Sequence, residues 1–349
     1  GKLTQFLWNR FNAFDGDPTK GLIIMPCELI FLNGHHLKDC IRKYIELWTP
    51  DFGEKAQAFS EWFEKYNYVC ATLVDRIVPG FPRKDIAKIQ NKIGYKDNLV
   101  VQAEIFHLWV IEKAENMTCE ELRKEFPADQ AGLHVLIAES EAPYHERKVT
   151  LLNGPHTVLS PVAYLSGINI VRDALHDPVV GPYIKKVQYD ELMQTLNLPM
   201  EELQKFAADV LERFDNPYVD HQVTSIMLNS FPKFQARDLP GVKVYLERKG
   251  ELPKGLVLGL AAIITYYKGG TRADGAPIQP NDDQKIMDLL TQLWATGDTR
   301  KVAEGVLAAD WIWGEHGDLN TIPGLTDMVE GFLNDIASKG MIETVKSIL

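Results

Sequence analysis

Basic charge is scarce in this sequence: 37 lysines and arginines stand against 48 aspartates and glutamates, a formal net charge of -11 over 349 residues. Nucleic acid is held chiefly by clustered Lys and Arg against phosphate, so this balance argues against a nucleic-acid partner. Cysteine is scarce too. The four, Cys27, Cys40, Cys70 and Cys119, form no Cys-x-x-Cys pair, which removes the usual basis for a zinc knuckle or a redox motif. A reducing compartment is the simpler reading. No apolar run reaches the ~20 residues that span a bilayer. The longest, Leu256 to Tyr267, is interrupted by Gly259 and Thr265 and reads as a buried core helix. No basic and apolar leader opens the chain, so the expectation is a cytoplasmic protein without a membrane partner. His35-His36 and His316 lack partners at metal spacing, and no metal is expected.

What is present is the composition of a packed globular protein, with 45% hydrophobic and 24% charged residues. At this length a single core is exceeded, which predicts two domains. The first part alternates short apolar runs with amphipathic segments, the pattern of an α/β layer with parallel strands. Strands are expected at Leu22-Ile23-Ile24-Met25, Val69 to Val74, Leu99-Val100-Val101 and Val135-Leu136-Ile137. Between the first two, Leu37, Ile41, Tyr44, Ile45 and Trp48 recur at helical spacing, and Phe59 and Phe63 mark a second helix. Strand, helix, helix, strand fits a crossover. From about Pro143 onward long 3.6-residue patterns take over, with helices expected over 201–214, 299–313 and 325–336. Another carries Ile286, Leu289, Leu290, Leu293 and Trp294 behind a cap-like start at Asn281 to Gln284, where Asp282 and Asp283 read as helix-start charge. Trp311 and Trp313 read as packing residues.

One segment concentrates reactive groups. Lys148-Val149-Thr150-Leu151-Leu152-Asn153-Gly154-Pro155-His156 puts a base, an amide donor and an imidazole within nine residues. On an unbroken helix Lys148 and His156 would stand about 12 Å apart along the axis, whereas Gly154-Pro155 is expected to end or bend the helix and restart it. A carbonyl reduction without a metal needs a proton donor for the new alkoxide and dipoles for its charge. Lysine can serve as the first if enclosure or a neighbouring cation such as Arg147 lowers its pKa from about 10.4. By spacing alone, a surface Lys, a helix-terminal Asn and a solvated His account for the segment more simply.

The same segment resembles the Lys-x4-Asn-x2-His signature of the polyol-specific long-chain dehydrogenases, the mannitol dehydrogenase family. That resemblance implies a general acid/base role for Lys148, an oxyanion-holding role for Asn153 and a substrate-orienting role for His156. Pro26-Cys27-Glu28-Leu29-Ile30-Phe31-Leu32-Asn33-Gly34 is similar to the family's strand-end segment and implies Asn33 as a second oxyanion donor. Cys27-Glu28-Leu29, where mannitol and fructuronate enzymes tend to have Cys-Asp-Asn, looks like the tagaturonate-reducing branch. Val74-Asp75-Arg76-Ile77-Val78-Pro79 resembles a family motif that places Asp75 beside substrate or cofactor; a structural ion pair at a strand end is the alternative. Asn216-Pro217 followed by Leu228-Asn229-Ser230-Phe231-Pro232-Lys233 resembles the segment with the substrate-binding lysine, which implies Lys233 as partner to a sugar-acid carboxylate. Asn229 replaces a common aspartate, and Ser225 stands where mannitol-type enzymes tend to have arginine, which makes Ser225 a candidate specificity position.

The resemblance implies an α/β plus all-α chain: the remainder of a Rossmann-like dinucleotide domain over 1–142, then a multi-helical substrate domain over 143–349. It implies NAD as cofactor and a small sugar acid as partner, with tagaturonate reduced reversibly to altronate. Fructuronate reduction and mannitol oxidation are the alternatives within the family, and a non-catalytic helical binding module is the alternative of another class. No strand-Gly-x-Gly-x-x-Gly-helix element occurs in the chain, so the cofactor-binding residues are expected upstream of Gly1, in a first βαβ half of about a hundred residues. For residues 1–349 alone the expectation is weak or absent cofactor binding and little activity. Oligomeric state is not legible.

Overall fold

Short β1 (Ile23–Ile24) pairs in parallel with β2 (Tyr68–Val69), as a crossover requires. Two helices make the crossover, α1 (Asn33–Leu47) and α2 (Ala56–Tyr66). Their buried positions are those of the helical periodicity: Ile41 and Ile45 on the first, Phe59, Trp62 and Phe63 on the second, closed over by Leu7 and Phe11 of the amino-terminal helix. Beyond Cys70 the chain enters a second sheet of β3 (Ala71–Asp75), β4 (Leu108–Glu112) and β5 (Val135–Ala138) in that order. Cys70 belongs to the β1 ladder still, donating its N–H to Ile24 at 2.9 Å. The computed structural model describes residues 1–28, 30–78, 81–83 and 85–349.

The strand expectations need three corrections. The run 69–74 is split between two sheets at Cys70. Leu99-Val100-Val101 is no strand; Leu99 is 87% exposed and Val101 63%, so three adjacent apolar residues gave strand composition without a surface to pack on. The strand that does form nearby, β4, lies at Leu108-Trp109-Val110-Ile111-Glu112, and it runs antiparallel to β3 while β5 runs parallel to β4. The sheet is therefore mixed rather than all parallel.

Gly1–His145 and Glu146–Leu349 are separate compact units. The second is built of helices around α3 (Lys254–Tyr266), whose side chains from Leu256 to Ile264 are buried, as its apolar run predicts. Helices form at Met200–Phe214, Gln284–Trp294 and Leu325–Lys339 where periodicity places them. Asp283 caps the second of these by accepting from Lys285 N–H at 2.9 Å. Asp282 does something else: it accepts the hydroxyl of Tyr267. The expected helix over 299–313 stops at Leu307 and a short turn, Asp310–Trp313, follows. That break turns Trp313 fully inward, its indole donating to Val306 O at 2.8 Å, and leaves Trp311 40% exposed beneath the Lys285 ammonium. Among the described residues no helix is long and apolar enough to cross a membrane.

Candidate active site

The Lys148 to His156 segment changes winding and starts a new helix at Gly154-Pro155. Lys148 ends the α-helix Ala142–Lys148, Val149–Asn153 forms one π-helical turn, and a new α-helix, Gly154–Leu165, follows with Pro155 in its first turn. Proline is the cause. Pro155 has no N–H for the carbonyl of Leu151, four residues earlier, so a regular α-helix would orphan that carbonyl in a buried place. The Gln188 side-chain amide fills the vacancy, donating to Leu151 O at 2.9 Å. Gly154 N–H reaches back to Val149 O, the wide-turn bond. One-turn π-bulges of this kind concentrate at functional sites because they shift the side chains on either side out of α register.

Lys148 and Asn153 are both half-buried, and His156 is 6% exposed. The imidazole lies against the Phe214 ring at 4.0 Å between centroids and against His221 at 5.3 Å. Its Nε2 is buried and has no hydrogen-bond partner. Burial first, then the charges of His221, Arg237, Arg213 and Lys233, push its pKa well below the usual imidazole range, so His156 is neutral at physiological pH. Arg147 lies over the Phe206 ring at 4.5 Å and pairs with Glu202 at 3.9 Å.

Lys233 lies on the helix Ser230–Arg237, entered through Asn229 in the left-handed region at φ +56°. Its ammonium donates to Ile226 O at 2.7 Å. Burial lowers its pKa, Arg237 lowers it further, and Asp282 opposes them. Ser225 is exposed and its hydroxyl is turned onto Gln222 O at 2.7 Å. Residues that sequence reasoning passed over complete this surface: Arg237, whose guanidinium donates to Thr157 Oγ1 at 3.3 Å; Thr157, which donates to Asn153 O at 2.9 Å; and Asp238, fully buried with both carboxyl oxygens unpartnered. The spacing of Lys233 and Arg237, four residues apart on one helix, was the available signal. Nothing in the sequence marks Asp238.

Asn33 and Asp75 belong to the first unit. Asn33 starts α1 and is 3% exposed. Its amide donates to Pro26 O at 3.2 Å, Glu28 O at 3.0 Å and Thr72 O at 2.9 Å, while its oxygen accepts from Thr72 N–H at 2.9 Å. The side chain thus ties the end of β1 to β3, and both amide hydrogens are engaged; donation to an oxyanion would require releasing a carbonyl. Gly34 beside it permits this approach, since a Cβ there would come within 2.0 Å of Cys70 O. Asp75 is buried at the carboxyl end of β3. Leu29 and Pro79, the branch-like and motif-closing residues of the two resembling segments, lie outside the described residues.

A mixed α/β unit and a helical unit with Lys148 before, Asn153 within and His156 after one π-turn are the arrangement of a two-domain dehydrogenase. The mannitol dehydrogenase Rossmann domain model matches residues 1–124 and the mannitol dehydrogenase C-terminal domain model residues 142–337, and the chain belongs to the mannitol dehydrogenase family. An altronate oxidoreductase of Phocaeicola vulgatus is 72% identical over 349 residues, 100% of this chain and 70% of that protein. An altronate oxidoreductase of Bacillus subtilis is 42% identical over 98% of this chain and 67% of its own. Among solved structures, Pseudomonas fluorescens mannitol 2-dehydrogenase in ternary complex with NAD and D-mannitol aligns with TM-score 0.69 and 22% identity. It covers 93% of this chain, which spans 62% of its length. A substrate-free D-sorbitol dehydrogenase aligns at TM-score 0.78 and 21% identity, over 98% of this chain and 65% of its own. At such identities these two establish the fold.

Proposed function

We propose that this chain carries the substrate site of an NAD-dependent reductase of keto sugar acids, acting reversibly between D-tagaturonate and D-altronate. The observation that carries the reading is 72% identity over the whole chain to an altronate oxidoreductase, with the lysine, asparagine and histidine gathered about one π-turn. We assign residues 1–142 to the cofactor side and 143–349 to the substrate side. The first unit fits the reacting end of a dinucleotide: it has a parallel β1 to β2 crossover, and the buried carboxylate of Asp75 stands at the carboxyl end of a strand, where α/β sheets take such ligands. When bound, NADH supplies the hydride that the keto carbon accepts.

The remaining duties fall to this chain's side chains. Lys148 gives its proton to the carbonyl oxygen as the new C–H bond forms, and takes it back in the oxidative direction. Asn153, five residues on across the π-turn, holds the oxygen through its amide. Neutral His156 offers its unpartnered Nε2 to a substrate hydroxyl, and Lys233 supplies positive charge for the carboxylate. Asp75 and Ser225 are the further substrate-binding candidates, and Asn33 braces the strand ends of the first unit. Replacing Lys148 by Ala in the protein expressed from its whole reading frame is expected to lower kcat for the keto acid by ~10²–10⁴-fold, the usual worth of positioned acid/base catalysis. Undiminished turnover would dismiss the assignment.

A further inference from the structure

We infer that Arg237 is the carboxylate-recognising residue of this site, the side chain that separates a sugar acid from the corresponding uncharged sugar. The inference rests on the sugar-acid reading above and names the group that reads the acid. Arg237 ends the helix Ser230–Arg237, one turn after Lys233, so both cations leave the same helix face. A guanidinium has five N–H donors in a planar fork. One is used here, on Thr157 Oγ1 at 3.3 Å. Thr157 in turn donates its hydroxyl to Asn153 O at 2.9 Å, which ties Arg237 through one hydroxyl to the backbone of the candidate oxyanion residue.

Charge around this point is out of balance. Arg237 and Lys233 are half-buried, and neither is ion-paired among the described residues. Two carboxyls act on them electrostatically. Asp282 is engaged with the Tyr267 hydroxyl, and Asp238 sits fully buried with its pKa driven well above the carboxylate range, so it brings little negative charge. Partly desolvated cations without a directly ion-paired carboxylate are unfavourable, and a planar anion that accepts two N–H bonds at once relieves this more fully than a point charge would. The second feature is independent of charge. His156 Nε2 is buried and has no partner beside the same cations, so a ligand hydroxyl at that nitrogen would satisfy it. An anion and a hydroxyl within one molecule describe a hydroxy acid.

The test is calorimetric titration of D-altronate and of its uncharged polyol counterpart altritol into the protein expressed from its whole reading frame, with cofactor present, as wild type, Arg237→Met and Arg237→Lys. Wild type is expected to bind the acid tighter than the polyol by at least about tenfold, Arg237→Met to lose about 10- to 100-fold for the acid with the polyol unchanged, and Arg237→Lys to recover part of that loss. Equal weakening for acid and polyol in Arg237→Met, no weakening for the acid, or a wild type that binds both alike would each overturn the inference. Because the acid and polyol are compared within one protein, general misfolding of a variant cannot mimic the expected pattern. If tagaturonate is not turned over but altronate binding still depends on Arg237, the reaction assignment fails and the subsite stands.

Discussion

Asp238 offers a prediction whose sign and slope follow directly from its surroundings. Its residue is wholly inaccessible, neither carboxyl oxygen has a hydrogen-bond partner, and although it stands at the N-cap of the helix Leu239–Lys249 its side chain makes no cap bond. It faces the backbone of the signature turn, where a Cβ on Gly154 would lie 2.9 Å from Oδ1. Burial raises its pKa well above the ordinary carboxylate value, the charge of Arg237 opposes the rise, and Tyr183 is the phenol that feels its field. The folded state therefore holds a proton that the unfolded chain, with a pKa of about 3.9, releases. Stability changes with pH as the protons bound unfolded minus those bound folded, here a negative number, so this carboxyl's contribution is fully present below about pH 4 and is lost as pH rises toward the folded pKa. Within that window the loss runs at up to about 1.4 kcal/mol per pH unit. Asp238→Asn replaces the protonated carboxyl by a neutral group of nearly the same shape. Denaturant unfolding of wild type and variant from pH 4 to 8 is expected to give a difference curve that moves in the variant's favour as pH rises. Glu191, also shifted upward by burial, is common to both proteins and cancels. Parallel curves, or a variant that loses ground toward neutral pH, would show that Asp238 is ionised and compensated and would refute the reasoning.

Two other substitutions follow from particular contacts. Asn33→Ala removes an acceptor and donors serving Pro26, Glu28 and Thr72, and is expected to destabilise by about 3 kcal/mol in denaturant unfolding; an unchanged midpoint would deny Asn33 its bracing role. Gly154→Ala places a Cβ 2.9 Å from Asp238 Oδ1 and 3.0 Å from Leu192 Cδ1, with an expected loss of about 1–3 kcal/mol that shrinks when Asp238→Ala is added, measured as a double-mutant cycle.

Elements with one strong periodicity were legible. Ile41 and Ile45, or Phe59 and Phe63, declare a buried helix face, and the apolar run from Leu256 declares a helix buried all round. Leu99-Val100-Val101 and Leu108 to Ile111 look alike as short apolar runs, and only the pairing of the second with β3 and β5 distinguishes them. The π-turn was half legible: Gly154-Pro155 signalled an irregularity, but its form depends on Gln188, 37 residues past Leu151, satisfying a freed carbonyl. The same limit governs the site. Lys148, Asn153 and His156 announce themselves by spacing and resemblance, whereas the importance of Arg237 and Asp238 comes from which other groups are missing around them, and absence of a partner is a property of packing in three dimensions.

The most direct test of the central claim is NADH oxidation by the protein expressed from its whole reading frame, offered D-tagaturonate, D-fructuronate and D-fructose in parallel at one concentration. A kcat/KM highest for tagaturonate, and lowest for the uncharged fructose, is the expected result. Activity greatest on fructose would contradict the sugar-acid site, and no oxidation with any of the three would contradict the reductase assignment itself.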